Sequence, residues 1–269
     1  MDLKGWDYTG RNIGPEFHRQ FRMMIYYLIL PDFVKKRKWG NDLQEELTTK
    51  IGMSSAGAVR TVKKVSENLG LINRVCFSSR GELKADKLLT ERGLLIYNAA
   101  TLEDQVAKDP SIDNDTKKKV ELQIKTLYEE AYCDALMNYY FTNSDGSHLC
   151  PLRATLKALQ KYSKLDKWEW YMLNTFVRHD DDPVEEKNLE INIEKYRNGK
   201  YTFTMKNVVE KPKGHQYTPQ HFEFAGLLHV VQRPSWFMTS SDRHNDIKKK
   251  VLSDYYLENL YKNSGGNAR

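Results

Sequence analysis

Cysteine is scarce in this sequence, and the three present, Cys76, Cys133 and Cys150, are odd in number and far apart. That argues against a disulfide framework or a closely spaced zinc site, and it fits buried thiols in a reducing compartment. Long apolar runs are missing too. The longest, Met23–Leu30, falls well short of the roughly 18 residues a membrane helix needs and reads as part of a core helix. At the start, Asp2-Leu3-Lys4-Gly5-Trp6-Asp7 lacks the basic-then-apolar order of a secretory signal. A cytoplasmic protein with no membrane partner is expected.

Catalytic signatures are equally thin. The seven histidines show no HExxH or paired spacing, and His179 beside three aspartates reads as a solvated loop. There is no GxxxxGK[ST] phosphate loop, and no serine or cysteine has a recognisable base partner. A Mg²⁺-dependent nuclease of the common type needs an acid followed, about ten to thirty residues later, by acid-x-Lys. Glu82-Leu83-Lys84 matches by letters but sits where a β-hairpin is predicted. Asp180-Asp181-Asp182 with Glu185-Glu186-Lys187 is too compressed, and it reads as a helix N-terminus, where the dipole favours acids. No catalytic or metal-binding residue is assigned.

What is present describes a folded, basic protein. Hydrophobic residues make up 40% and aromatic residues 12% of 269, enough for one large or two medium cores, in which Trp168, Trp170, Tyr171, Tyr139 and Tyr140 are expected. The net charge of +6 is unevenly spread: +6 over residues 1–100, −4 over 101–200 and +4 over 201–269. Two basic blocks around an acidic one suit a polyanion held from two sides.

The most informative stretch is Asp42–Asn98. Leu43, Leu47 and Ile51 recur at helical spacing, Gly52 stops that helix, and Ser54 or Ser55 can cap the next. On the second helix Val59, Val62, Val65 and Leu69 form an apolar stripe. Gly57, Arg60, Lys63 and Lys64 face the other way, with Thr61 at the margin. Gly70 ends it, Leu71–Phe77 and Glu82–Leu89 read as two strands around Ser78-Ser79-Arg80-Gly81, and Thr90 can cap a further helix. This is the order of a winged helix-turn-helix, which places one helix in a DNA major groove. Arg60, Lys64 and Thr61 are the expected base readers. Lys63, Arg74 and Arg80 are expected at phosphates or the minor groove, Ser54, Ser55 and Lys84 are further DNA-binding candidates, and the cluster Lys36, Arg37 and Lys38 is expected as a backbone clamp.

Upstream, Pro15 opens a helix through Phe17, Phe21, Met24 and Leu28 that ends at Leu30-Pro31. A polar linker is expected at about Thr101–Asp115, then a long helix from Thr116 to about Phe141. The second half predicts helices from Pro151, from Leu165-Asp166-Lys167 (buried stripe Trp168, Met172, Phe176, Val177), from Pro183 to Tyr196, and a short one opened by Pro219. Leu227–Gln232 and Ser235–Thr239 can pair around Arg233-Pro234, and Asp242 can cap a terminal helix to about Lys262. Lys211, Lys213, Gln216 and Arg233 are the second-half candidates for DNA. The fold class expected is mainly α with small β-hairpin wings (α+β), as tandem winged-helix-like subdomains. Their bounds are 1–105 and 149–269, with 106–148 as linker and connecting helix.

Several stretches resemble the DNA-recognition region of AlwI-like type IIS restriction and nicking endonucleases: LKADKLLTERGLLIYNA, HLCPLRATLKALQKYSKLDKWEWYMLNTFV, Ile193-Glu194-Lys195-Tyr196-Arg197, and HFEFAGLLHVVQRPSWFMT. The resemblance implies two winged-helix-like subdomains around an asymmetric duplex site, with cleavage by a C-terminal nuclease domain. This chain is expected to stop where that domain begins, so a separate cleavage domain or subunit is the expected partner besides double-stranded DNA. Binding is expected to need no cofactor, and Mg²⁺ only serves an attached or hidden cleavage domain. The alternative is a winged-helix transcriptional regulator without nuclease function.

Overall fold

A computed structural model describes residues 1–7, 10–35, 37–77, 81–142, 146–209, 212–232 and 255–259, with the backbone alone at 212–216, 229, 231–232 and 255–259. The chain divides into two compact units, Thr9–Ala135 and Met1–Tyr8 with Leu136–Arg269, and is mainly helical. No helix among the described residues is long and apolar enough to cross a membrane.

In the first of these units, α1 (Pro15–Leu28) begins on Pro15 and buries Phe17, Phe21, Met24, Ile25 and Leu28. It packs against α3 (Asn41–Ile51), α4 (Ala56–Asn68) and α5 (Glu91–Lys108), with the short α2 (Pro31–Val34) following it. α3 stops at Gly52, whose φ of 72° is the left-handed conformation that glycine adopts without strain. Ser55 then caps α4 by accepting from the Ala58 amide. Leu43, Leu47 and Ile51 meet Val59, Val62 and Val65 in a buried seam, as the two stripes predict. α6 (Asn114–Met137) adds Ile124, Tyr128 and Tyr132 to the core.

The expected wing is different. Leu71–Phe77 and Glu82–Leu89 do not form a two-stranded ribbon among the described residues. Arg74–Phe77 and Ala85–Lys87 are 3₁₀ turns, and a single antiparallel bridge, Ile72 to Leu89, joins the two stretches. Asn73 ties the two stretches together: its side-chain amide donates to the Lys87 carbonyl at 2.5 Å, while its own carbonyl accepts from the Cys76 amide that opens the first turn. Cys76 and Phe77 are both buried although adjacent, which an alternating strand cannot achieve.

The other unit holds β1 (Phe141–Thr142) paired antiparallel with β2 (His148–Leu149), then α7 (Pro151–Tyr162), β3 (Lys164–Asp166), α8 (Lys167–Phe176) and α9 (Pro183–Arg197). α10 (Pro212–Phe224), β4 (Leu228–Gln232) and β5 (Tyr255–Asn259) follow, and β5 lies between β3 and β4, antiparallel to both. Three expectations change here. Pro219 lies inside α10 rather than opening it, at the cost of one backbone bond. β4 pairs with β5, while Ser235–Thr239 is outside the described residues. Tyr255–Asn259 is a strand where the terminal helix was expected, its β-prone Tyr-Tyr-Leu held by long-range pairing on both edges.

α8 is buried on nearly every side rather than along one stripe. Trp170, Tyr171, Met172 and Leu173 are all buried, and Trp168 and Phe176 only half so. Its N-terminus is fixed by a capping box in which Asp166 accepts from Trp168 and Glu169 and the Glu169 carboxylate accepts from the Asp166 amide. The unit bounds differ from the expected 1–105, 106–148 and 149–269. The expected linker is helical up to Lys108, and the first residues join the second half of the chain. Trp6 explains the latter: its indole N–H donates to the Val177 carbonyl at 2.8 Å, and its ring meets Trp170 edge-on at 5.3 Å.

Candidate nucleic-acid interface

The helix pair α3–α4 presents one edge of α4 to solvent. Ser54, Ser55, Arg60 and Lys64 are exposed, with Gly57 and Thr61 half-buried between them, and no acid occurs from Met53 to Ser66. Arg60 does not hang freely. One guanidinium nitrogen donates to Oε1 of Gln44 at 2.8 Å, and Gln44, on α3, is only 5% exposed. The tether uses one of five N–H donors and leaves the rest of the planar fork to meet a ligand. Thr61 donates back to the Gly57 carbonyl, so its hydroxyl is spent within the helix.

Gly57 has no packing reason to be glycine. A Cβ built there would come no closer than 3.5 Å to Ser55 Oγ and 3.7 Å to the Arg60 guanidinium. Glycine inside a helix costs about 1 kcal/mol relative to alanine. What it provides here is a bare backbone beside Arg60, where a ligand can approach closely.

The remaining candidates divide clearly. Lys63, expected at a phosphate, is mostly buried: its ammonium lies 2.7 Å from Glu67 and 4.8 Å from the centre of the Phe77 ring, with Trp39 at 5.8 Å. Arg37 is likewise held inside its unit, by Glu46 at 2.7 Å and over the Phe33 ring. Lys38, Arg74 and Lys84 are exposed, Arg74 on the first 3₁₀ turn and Lys84 just before the second. Lys36, Arg80, Lys211 and Arg233 lie outside the described residues, as do the side chains of Lys213 and Gln216 on α10. Ser54, Ser55, Arg60, Thr61 and Lys64 therefore form the one candidate cluster gathered on a single described helix edge. Gln44 belongs with them and escaped notice in the sequence, where it reads as an ordinary polar neighbour of Leu43.

Other chemistry is accounted for structurally. The ligand atoms of His179, Asp182 and Glu185 lie within 4.8 Å of one another. Asp182 spends an oxygen capping α9, accepting from Val184 and Glu185, and Glu185 accepts from the Arg178 and His179 amides and faces His179 Nδ1 at 2.9 Å. This is the helix N-terminus that the acids predict. Leu83, between Glu82 and Lys84, is buried. Cys76, Cys133 and Cys150 are free thiols whose pKa values burial pushes up, away from nucleophilic use.

Compared with known proteins, the chain matches no family model, no curated protein and no solved structure.

Proposed function

We propose that the chain recognises a specific sequence in double-stranded DNA through α4, as the target-recognition part or subunit of a type II or IIS restriction or nicking endonuclease. The observation that carries the DNA reading is the acid-free exposed edge of α4, with Arg60 oriented by the buried Gln44 beside the open backbone of Gly57. A guanidinium held in this way suits bidentate bonding to O6 and N7 of guanine. Ser54, Ser55 and the positive end of the α4 dipole suit a phosphate, and Lys64 and Lys38 supply charge along the backbone. Arg74, on the first 3₁₀ turn, and Lys84, just before the second, add exposed cations. The link to cleavage rests on the resemblance of the sequence stretches alone, and the binding step involves no metal.

The test is selection from a randomised duplex library in EDTA at near-physiological salt, with the stoichiometry of the complex measured on the enriched site. One short asymmetric motif bound by a monomer supports the proposal. A palindrome bound by a dimer transfers it to a transcriptional regulator. Absence of enrichment refutes sequence-specific binding.

A further inference from the structure

The solvent-facing edge of α4 has two unlike sides. One carries hydrogen-bonding groups: Arg60, tethered to Gln44 at 2.8 Å, and Lys64 one turn further on. The other is made of Gly57, Ala58 and Thr61, all half-buried, and leads down to the buried Val62 and Val65. Gly57 and Ala58 lie four and three residues before Thr61, so both are its neighbours on the helix surface. Neither has a side-chain donor or acceptor.

Thr61 completes this side as a largely apolar residue. Its hydroxyl donates to the Gly57 carbonyl at 2.9 Å, which spends the donor and fixes the rotamer of a β-branched side chain. The γ-methyl is then what Thr61 has to offer a ligand. In the major groove the base edges present donors, acceptors and one apolar group, the 5-methyl of thymine. A strip made of Gly57, Ala58 and the Thr61 methyl complements that one group. The bare backbone at Gly57 lets it come close, since no side chain stands between Thr61 and the start of the helix.

We infer that Thr61, with Gly57 and Ala58 beside it, reads the 5-methyl group of a thymine within two base pairs of the guanine that Arg60 contacts. The inference rests on the DNA reading of α4 and deepens it: Arg60 supplies the hydrogen-bonded half of the readout and Thr61 the apolar half. Consecutive Cα atoms lie about 3.8 Å apart, close to the roughly 3.4 Å between bases along a strand, so adjacent residues reach adjacent or next-adjacent pairs. Burying one methyl group in the complex is worth about a three- to fivefold change in affinity. 5-Methylcytosine carries the same methyl and is the second source of this chemistry.

The test replaces each thymine of the selected duplex in turn by uracil, which removes the methyl and nothing else, and titrates the full chain by fluorescence anisotropy. One thymine within two base pairs of the position where Arg60→Ala loses discrimination should bind about three- to fivefold more weakly as uracil. Thr61→Ser keeps the hydroxyl and drops the methyl, and should bind both duplexes alike. Thr61→Val keeps the methyl and drops the oxygen, and should retain the preference, which separates the methyl from the acceptor left on the hydroxyl. A second library with 5-methylcytosine in place of cytosine tells the sources apart: thymine alone enriched at that position assigns the contact to thymine, and both pyrimidines enriched assigns it to the methyl whichever base carries it. Equal binding of the thymine and uracil duplexes by the parent chain, a selected motif with no thymine in that window, or a preference that survives in Thr61→Ser overturns the inference. These failures leave a motif read by Arg60 in place, whereas the absence of any enriched motif refutes the DNA reading itself. The uracil comparison uses the parent chain, so it decides even if a variant fails to fold.

Discussion

Gly93 is where substitution should go against ordinary helix preference. It occupies the first turn of α5, its amide donating to the capping hydroxyl of Thr90 at 3.0 Å. At such a position Gly→Ala normally stabilises by up to about 1 kcal/mol. Here a Cβ would sit 1.7 Å from the Leu71 carbonyl oxygen and 2.7 Å from its carbon. Backbone atoms cannot give way as a side-chain tip can, so the start of α5 must retreat by about 1.5 Å to restore van der Waals contact. That retreat pulls on the Thr90 amide bond to Leu71, at 3.2 Å, and on the Thr90 hydroxyl bond to the Gly70 carbonyl, at 2.6 Å. Overpacking of this kind costs about 1–3 kcal/mol, and a weakened cap adds about 1. After the propensity gain, Gly93→Ala should destabilise by roughly 1–3 kcal/mol, read as a lower urea midpoint by circular dichroism. Gly57→Ala is the control, because its Cβ would meet only ordinary van der Waals contacts, at 3.5 Å from Ser55 Oγ and 3.7 Å from the Arg60 guanidinium, and it should stabilise by about 0.5–1 kcal/mol. A Gly93→Ala protein as stable as the parent would refute the close approach of α5 to Leu71.

Three further outcomes are expected. Thr90→Val removes the α5 cap and the bond to Gly70, and should cost about 1–2 kcal/mol in urea unfolding. Leu47→Ala empties a fully buried site between α3 and α4 and should cost about 3 kcal/mol, whereas an effect below 1 would mean that the seam is loose. His18, stacked on Tyr128 at 3.9 Å and bonded to the Tyr132 hydroxyl, has its pKa lowered to about 3 by burial. Its folded value lies below the unfolded value of about 6.5, so the unfolded chain binds the extra proton: the contribution is complete above about pH 6.5 and is lost as pH falls toward 3. Stability should drop by about 2 kcal/mol between pH 7 and pH 5 from this group alone, and His18→Phe should flatten that slope.

Much of the Thr9–Ala135 unit was legible because its signals are local. The Leu43–Leu47–Ile51 and Val59–Val62–Val65 stripes, the Gly52 stop and the Ser55 cap each act within a turn or two of chain. The wing stretches were less legible: among the described residues Arg74–Phe77 and Ala85–Lys87 are 3₁₀ turns, tied by the Asn73 side chain to Lys87 across the two stretches, which β propensity at Val75-Cys76-Phe77 does not reveal. The other unit was less legible because its decisive contacts span the chain. Trp6 docks on residues near 175, and β5 is a strand only because β3 and β4 flank it. For the candidate site, the basic stripe could be read from spacing, but not which cations it keeps. Glu67, Phe77 and Trp39 withdraw Lys63, and Glu46 withdraws Arg37, through contacts that the helical pattern does not encode.

We propose that Arg60, set by Gln44, reads a base pair. It is tested most directly by titrating the parent chain and Arg60→Ala against the selected duplex and against variants changed at each base pair in turn. The account predicts a loss of about 1–3 kcal/mol on the selected site and a loss of discrimination at one base pair, usually guanine-bearing. Lys64→Ala, run alongside, should weaken all duplexes alike and reduce the salt slope by about 1. If Arg60→Ala leaves discrimination intact at every position, α4 does not read the sequence and the account is contradicted.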